Sequence, residues 1–199
     1  VSQPVAARAL LTGRNAAAAG AIVSSLFFLY SANGDARTLV SNYLLKKAVN
    51  TAKTGNHGSA IGIYERIIGL KPVELCPQMD VAHFYYAAES LRESGNNVKA
   101  AEYYKKDLEI NPFCPEVNNM LGAVLGQSGD INSAVEKLKM AVYLAPHYEA
   151  AYINLATAFI SKGEYRNARL IIEKYIEING SNDRFASMLE TVRRIEEAK

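Results

Sequence analysis

Three histidines and two cysteines are the residues of this 199-residue chain best suited to hold a metal or act as nucleophiles. His57, His83 and His147 stand far apart. None belongs to an H-x-x-x-H or H-E-x-x-H pair, the spacing that puts two imidazoles on one helix face. Cys76 and Cys114 each precede a proline, and no C-x-x-C occurs. Zinc, thioredoxin-like redox and covalent haem chemistry are therefore not indicated. There is no phosphate-binding G-x-x-x-x-G-K-[ST] loop, no G-x-G-x-x-G after a strand and no G-x-S-x-G elbow. A general acid/base pair needs two carboxylates held in one cleft, and the Asp and Glu are scattered. The expectation is a protein without catalytic residues, metal or cofactor.

The charge pattern points the same way. The chain carries 22 Lys+Arg against 20 Asp+Glu. Residues 1–40 hold Arg8, Arg14 and Arg37 against Asp35, so the net +2 belongs to that stretch and the remainder is neutral. A nucleic-acid binder needs a basic face that releases counterions, and no such excess is present. With 49% hydrophobic residues the chain is neither disordered nor collagenous, and two Cys cannot make a disulfide framework.

What would position any site is an internal repeat. Gly55, Gly95, Gly129 and Gly163 follow one another at intervals of 40, 34 and 34 residues. Five residues after each comes Ala60, Ala100, Ala134 or Ala168, and four further on Tyr64, Tyr104, Leu138 or Ile172. Eight beyond those stand Pro72, Pro112, Pro146 and, in the last copy, Gly180. Each Gly falls where a helix must end in a left-handed turn that a Cβ would penalise. Each Pro falls where the second helix must stop. The Ala lets two antiparallel helices approach closely, and the large residue four later fills the space between them.

These residues resemble the tetratricopeptide repeat, a 34-residue helix–turn–helix unit. The copies are 41–74, 81–114, 115–148 and 149–182, with an insertion at 75–80. The third fits best, through Leu121-Gly122, Leu125, Gly129, Ala134, Leu138, Ala141 and Pro146. The resemblance implies an all-α, right-handed superhelical solenoid of helix-turn-helix repeats. An N-terminal helical extension (1–40) precedes the repeats. The C-terminal segment 183–199 reads as a capping helix, with Phe185, Met188, Leu189, Val192 and Ile195 on one face. Two departures stand out. Lys47 and Thr51 replace apolar packing residues in the first copy, whose first helix is then expected to be only partly buried. Asp107 and Tyr175 replace a small residue on the second helix, so those pairs are expected to be splayed or rearranged.

The resemblance also implies a concave groove lined by the first helix of each copy. Its lining would include Leu45, Val49 and Lys53 in the first copy, and Tyr85, Glu89, Arg92 and Glu93 in the second. Asn119, Ala123 and Gln127 follow in the third, and Ile153, Thr157 and Ile160 in the fourth. Some family members grip a chaperone's terminal carboxylate with Lys and Asn. Here Leu45 and Tyr85 stand at the basic positions and Val49 and Glu89 where Asn belongs, so such a ligand is disfavoured. The groove suits an apolar or amphipathic helix.

The chain contains one candidate occupant. Residues 16–32 carry no charge, and Ile22, Val23, Leu26, Phe27, Phe28 and Leu29 are strongly apolar. Three readings stay open: a degenerate repeat or docking helix, a membrane span at the short limit of length, or an uncleaved targeting segment. Docking on a neighbouring copy would be head-to-tail and would build a ring or filament. Anchoring would instead make the chain a membrane-bound accessory subunit of a larger complex. The chain starts at Val1 rather than Met, and signal processing would place the protein outside the cytoplasm. Cys76 and Cys114 lie in inter-repeat connections; a disulfide would pin the insertion in an oxidising compartment, and two unpaired turn cysteines are the alternative. The expected function is a non-enzymatic scaffold for protein–protein assembly, including copies of itself.

Overall fold

The computed structural model describes residues 36–69 and 77–198. Among them nine helices follow one another: α1 (Ala36–Lys53), α2 (His57–Gly69), α3 (Pro77–Glu93), α4 (Asn97–Ile110), α5 (Pro115–Gln127), α6 (Ile131–Leu144), α7 (Glu149–Ser161), α8 (Tyr165–Asn179) and α9 (Asp183–Glu197). Each packs on the next, and α1 also meets α3 and α5 meets α7. That is the contact pattern of a superhelical solenoid built from helix pairs, in which each unit touches its neighbours.

The turn inside each pair has one chemistry. Gly55, Gly95, Gly129 and Gly163 close the first helices, and the first three have φ of 81°, 81° and 89°. The residue after each glycine sends its amide back to the carbonyl five positions earlier, as in Asn96 to Leu91 at 2.8 Å and Asp130 to Leu125 at 3.0 Å. In three turns that same residue then starts the next helix. The side chains of Asn56, Asn96 and Asp130 accept from the amides of Ser59, Lys99 and Ser133. A glycine followed at once by an Asx thus ends one helix and begins the next within two residues.

The core runs down the middle of the solenoid. Ala60, Ala100, Ala134 and Ala168 are all fully buried, at the points where the paired helices approach. Tyr64, Tyr104, Leu138 and Ile172 fill the space above them, also buried. Every first helix except α1 then presses one side chain onto the preceding pair: Ala87, Leu121 and Leu155 are each 0% exposed. On α1 the same register holds Lys47, which is exposed. Its buried side is Ser41, Leu44 and Ala48 instead. The partly buried first helix expected from the sequence is therefore present. It has a polar outer face, so the described array begins on polar groups at Lys46, Lys47 and Asn50.

At the other end α9 caps the array with Phe185 and Val192 buried. It also accounts for Tyr175. The ring of Tyr175 stacks on Phe185 with centroids 3.8 Å apart and meets Tyr152 edge-on at 5.1 Å. The large residue is accommodated by the cap's aromatic side chain. Asp107 is met differently. The α3–α4 pair stays closed around buried Ala88, Leu91, Ala100 and Tyr104, and Asp107 is 0% exposed with no hydrogen bond to either carboxylate oxygen. Ile67, Ala141 and Tyr175 occupy this register in the other copies, so the site is built for an apolar group.

Burial without a partner pushes the Asp107 carboxyl up to about 6, the nearby Tyr85 backbone amide offsetting a little. The folded state therefore holds this proton more tightly than the unfolded chain. The cost of ionising it is absent below pH 3.8, grows between there and about pH 6, and is complete above that. Two pKa units amount to about 3 kcal/mol. Asp107→Ala, which restores the residue of the third copy, is expected to raise stability by about 2–3 kcal/mol near neutrality and by far less at about pH 4. Urea unfolding of both proteins at the two pH values measures this; a gain independent of pH contradicts it.

Candidate functional site

The first helices α1, α3, α5 and α7 carry the residues expected to line a groove, and their surroundings differ along the array. On α1, Leu45 and Val49 are half-buried and Lys53 is exposed. On α3 the expected groove residues Glu89, Arg92 and Glu93 are already engaged with one another. The Tyr104 hydroxyl donates to Glu89, and Arg92 donates to Glu89 at 3.1 Å and also to Glu93. Burial and the Glu89 carboxylate push the Tyr104 phenol well above its ordinary range. Tyr85 is half-buried with its ring 5.5 Å from Tyr86 and 6.3 Å from Tyr104. Burial, reinforced by Glu89, pushes its phenol up to about 12. This end of the face is a tyrosine surface with an ion cluster of two carboxylates on one guanidinium, which leaves a small negative excess.

Asn119 does not lie on the surface. It is 1% exposed, donating to the Tyr148 hydroxyl at 3.2 Å and accepting from the Asn154 amide at 2.9 Å. It joins α5 to α7 and to the residue before α7. A buried amide needs such partners, since leaving one unpaired costs about 1–3 kcal/mol. Gln127 is similarly committed, accepting from Asn97 at 3.2 Å across the α4–α5 step. Sequence reasoning missed Tyr148, Asn154 and Asn97, because their roles depend on pairing between copies.

Beyond Asn119 the face opens. A pocket of about 240 Å³ lies between α5, α6 and α7, with Ala123, Gln127 and Thr157 on its rim. Gly122, Gly126, Asn154, Ala158 and Ser161 also line it, above a floor of Ile131, Ala134 and Leu138. No charged residue lines it. Gly126 and Ser161 stand at groove positions of their copies, so that register marks them. Next to the pocket, Ile153 lines a hollow of about 350 Å³ with Tyr148, Glu149, Ala150, Asn154 and Arg184. Ile160 is half-buried on the same helix.

Gly122 makes this part of the array possible. A Cβ built on it would lie 2.6 Å from Leu138 Cγ and 3.2 Å from the Ala134 carbonyl oxygen. No side chain fits between α5 and α6 there, so the pair closes tightly and the pocket stays lined by small groups.

The remaining expected residues fall elsewhere. Ile22, Val23, Leu26, Phe27, Phe28, Leu29 and Cys76 lie outside the described residues. Cys114 has no disulfide partner among the described residues, and its thiol lies 3.3 Å from a Glu116 carboxylate oxygen. Burial pushes that thiol above its ordinary pKa, which makes it a poor nucleophile. Among the described residues no group of three or more His, Cys, Asp or Glu could hold a metal ion, and no helix is long and apolar enough to cross a membrane.

Among the described residues, an all-α array of helix pairs with a lateral face formed by the first helices defines the class: a repeat solenoid. Comparison with known proteins gives its family. Residues 149–182 match the tetratricopeptide repeat model. An uncharacterised protein of Methanocaldococcus jannaschii is 33% identical over 86 residues, covering 40% of this chain and 84% of its own. The small glutamine-rich tetratricopeptide repeat-containing protein 2 of Mycosarcoma maydis is 32% identical over 103 residues, covering 48% of this chain. Among solved structures, MamA superposes with a TM-score of 0.70 at 20% identity, covering 79% of this chain and 82% of its own. The Sgt2 tetratricopeptide domain of Aspergillus fumigatus gives 0.55 at 28% identity, covering 64% and 86%. The chain belongs to the tetratricopeptide repeat family. It spans 29% of the length of the Mycosarcoma relative.

The fit of Gly122 against Leu138 can be tested directly. Gly122→Ala is expected to destabilise the array by about 1–3 kcal/mol through overpacking. Gly122→Ala combined with Leu138→Ala is expected to lose less than the two single changes add up to, because the second removes the atoms the new Cβ meets. Additive losses in denaturant unfolding would show that the contact does not limit helix approach.

Proposed function

We propose that the chain assembles multiprotein complexes by receiving an uncharged, apolar helix on the α5–α7 part of its lateral face, and that one such occupant is the 16–32 run of a neighbouring copy. The observation that carries this is a contrast between two surfaces. The outer face of α1, where a preceding repeat would pack, holds Lys46, Lys47, Asn50, Thr51 and Thr54 around a hollow of about 510 Å³. An apolar run gains little by covering those groups, since burying unpaired lysines costs more than it returns. The pocket between α5, α6 and α7 is lined by glycine, alanine and small polar groups without charge. It can take large apolar side chains of an incoming helix. A unit that offers an apolar segment at one place and a different receiving surface at another associates head-to-tail, giving a ring or filament.

The ligand chemistry differs from that of one structural relative. The first tetratricopeptide domain of Spaghetti, RPAP3, is bound to the HSP90 peptide SRMEEVD, and it superposes with a TM-score of 0.54. An acidic tail laid along the present face would meet Glu89, Glu93 and Glu116, with Arg92 already engaged by the first two. An apolar occupant meets no such opposition at α5–α7.

Sedimentation of the full chain tests the reading. The wild type is expected to run heavier than a monomer. Leu26→Asp with Phe27→Asp, and separately Thr157→Arg, are expected to return it to monomer mass. Thr157 is exposed and its hydroxyl donates only within its own helix, to the Ile153 carbonyl, so this change leaves the fold intact. One mass for all three proteins rules out self-assembly through these surfaces.

A further inference from the structure

The end of the array that carries no apolar packing face carries something else. From Ala36 to Tyr64 there is no acidic residue, and α1 alone holds Arg37, Lys46, Lys47 and Lys53. Lys46, Lys47 and Lys53 are exposed, and none of them pairs with a carboxylate among the described residues. Residues 41–199 sum to zero charge with these lysines included, so the rest of the array is slightly acidic and the positive charge is concentrated at this end. Two large apolar groups stand beside it. Tyr43 is 68% exposed and Val40 is 41% exposed. Tyr43, Lys46, Lys47, Asn50, Thr51 and Thr54 ring one shallow hollow, so they share a face.

We propose that this outer face of α1 is a contact surface for an anionic lipid bilayer, with Lys46 and Lys47 against the headgroup phosphates and Tyr43 seated at headgroup depth. Lysines flanked by an exposed aromatic ring are the pattern of interfacial contact, because the ring has an apolar body and a polar tip while the lysine stems lie along apolar surface. Anionic headgroups supply the charge that the described residues do not place opposite these lysines. The chain's own sequence adds a second reason. The uncharged run 16–32 is separated from the start of α1 by only three residues in the sequence.

A second copy fits less well. The exposed surface of α9 at the opposite end alternates Glu190, Arg193, Arg194 and Glu197, with Arg194 bonded to Glu190, and offers no acidic surface to α1. The contact proposed here is separate from assembly through α5–α7, and each can hold without the other.

The experiment is co-sedimentation of the full chain with vesicles of phosphatidylcholine alone and of phosphatidylcholine mixed with phosphatidylglycerol. Binding is expected to be stronger to the mixed vesicles and to fall as salt is raised, since the contact is between exposed charges. Lys46→Gln with Lys47→Gln is expected to weaken binding to the mixed vesicles about 30-fold, each lysine near an anionic surface contributing about fivefold, ~1 kcal/mol. Tyr43→Ser is expected to weaken it further. Lys105→Glu with Lys174→Glu, exposed lysines on α4 and α8, serves as the control and is expected to change it little. Thermal melting of each variant checks that the fold is kept. Equal binding to both vesicle types, or equal losses in the α1 and control variants, overturns the proposal. So does binding of duplex DNA with the same dependence on Lys46 and Lys47 while anionic vesicles are left alone, which would make the face one for nucleic acid.

Discussion

Two antiparallel helices approach only as closely as the bulkiest group at their crossing allows. In this chain that crossing is occupied by alanine in every pair. Ala60, Ala100, Ala134 and Ala168 are without solvent exposure, and the large residue one turn later fills the volume that closing the pair creates. The third pair closes tighter still, because Gly122 faces Leu138 with no room for a Cβ. The remaining architecture depends on this spacing. It sets the tilt at which the next first helix can add, and it keeps bulky side chains off the lateral face at α5. The pocket beside Ala123 and Gly126 is thus a product of the packing that holds α5 to α6. Filling that crossing would damage fold and binding surface together.

The repeat was legible because its constraints act on single residues. A left-handed turn selects glycine, a close crossing selects alanine, a helix stop selects proline, and each leaves a letter at a fixed place. Even the departures could be located: Lys47 at an exposed register and Tyr175 at a crowded one. What those departures would do was harder to read. Tyr175 is accommodated by Phe185 of the capping helix, ten residues further on and in another element. Asp107 looked like a reason for α3 and α4 to separate, yet the pair stays closed and the carboxyl is left without a partner. Nearby apolar contacts outweigh one buried acid whose cost is a few kcal/mol.

The binding face was legible only as a set of positions. A register places Asn119, Glu89 and Gln127 on it, and then pairing between copies decides what each does. Asn119 is consumed by Tyr148 and Asn154, Glu89 by Tyr104 and Arg92, and Gln127 accepts from Asn97. Such bonds join residues up to 35 apart and leave no trace in any single copy. The consequence is functional. The tyrosine-rich half of the face at α3 has most of its polar groups satisfied internally, while the half at α5–α7 keeps an uncharged opening. On the proposed reading, an incoming helix is received where the side chains are smallest and carry no charge.

The ends of the array complete the argument. Solenoids propagate by stacking a further pair on an exposed apolar end, and here neither described end offers one. At α9 the exposed surface alternates acidic and basic groups, and at α1 it presents lysines, an asparagine and threonines. Growth by end-to-end stacking would bury those charges without partners, which is unfavourable by several kcal/mol. Any larger assembly built on this array must then form sideways, through the lateral face or through residues 1–35. The positive charge at α1 gives that constraint a direction. On the two proposals, one end of the solenoid meets an anionic surface and its long side an apolar helix, and because the two sets of residues do not overlap, one molecule could use both.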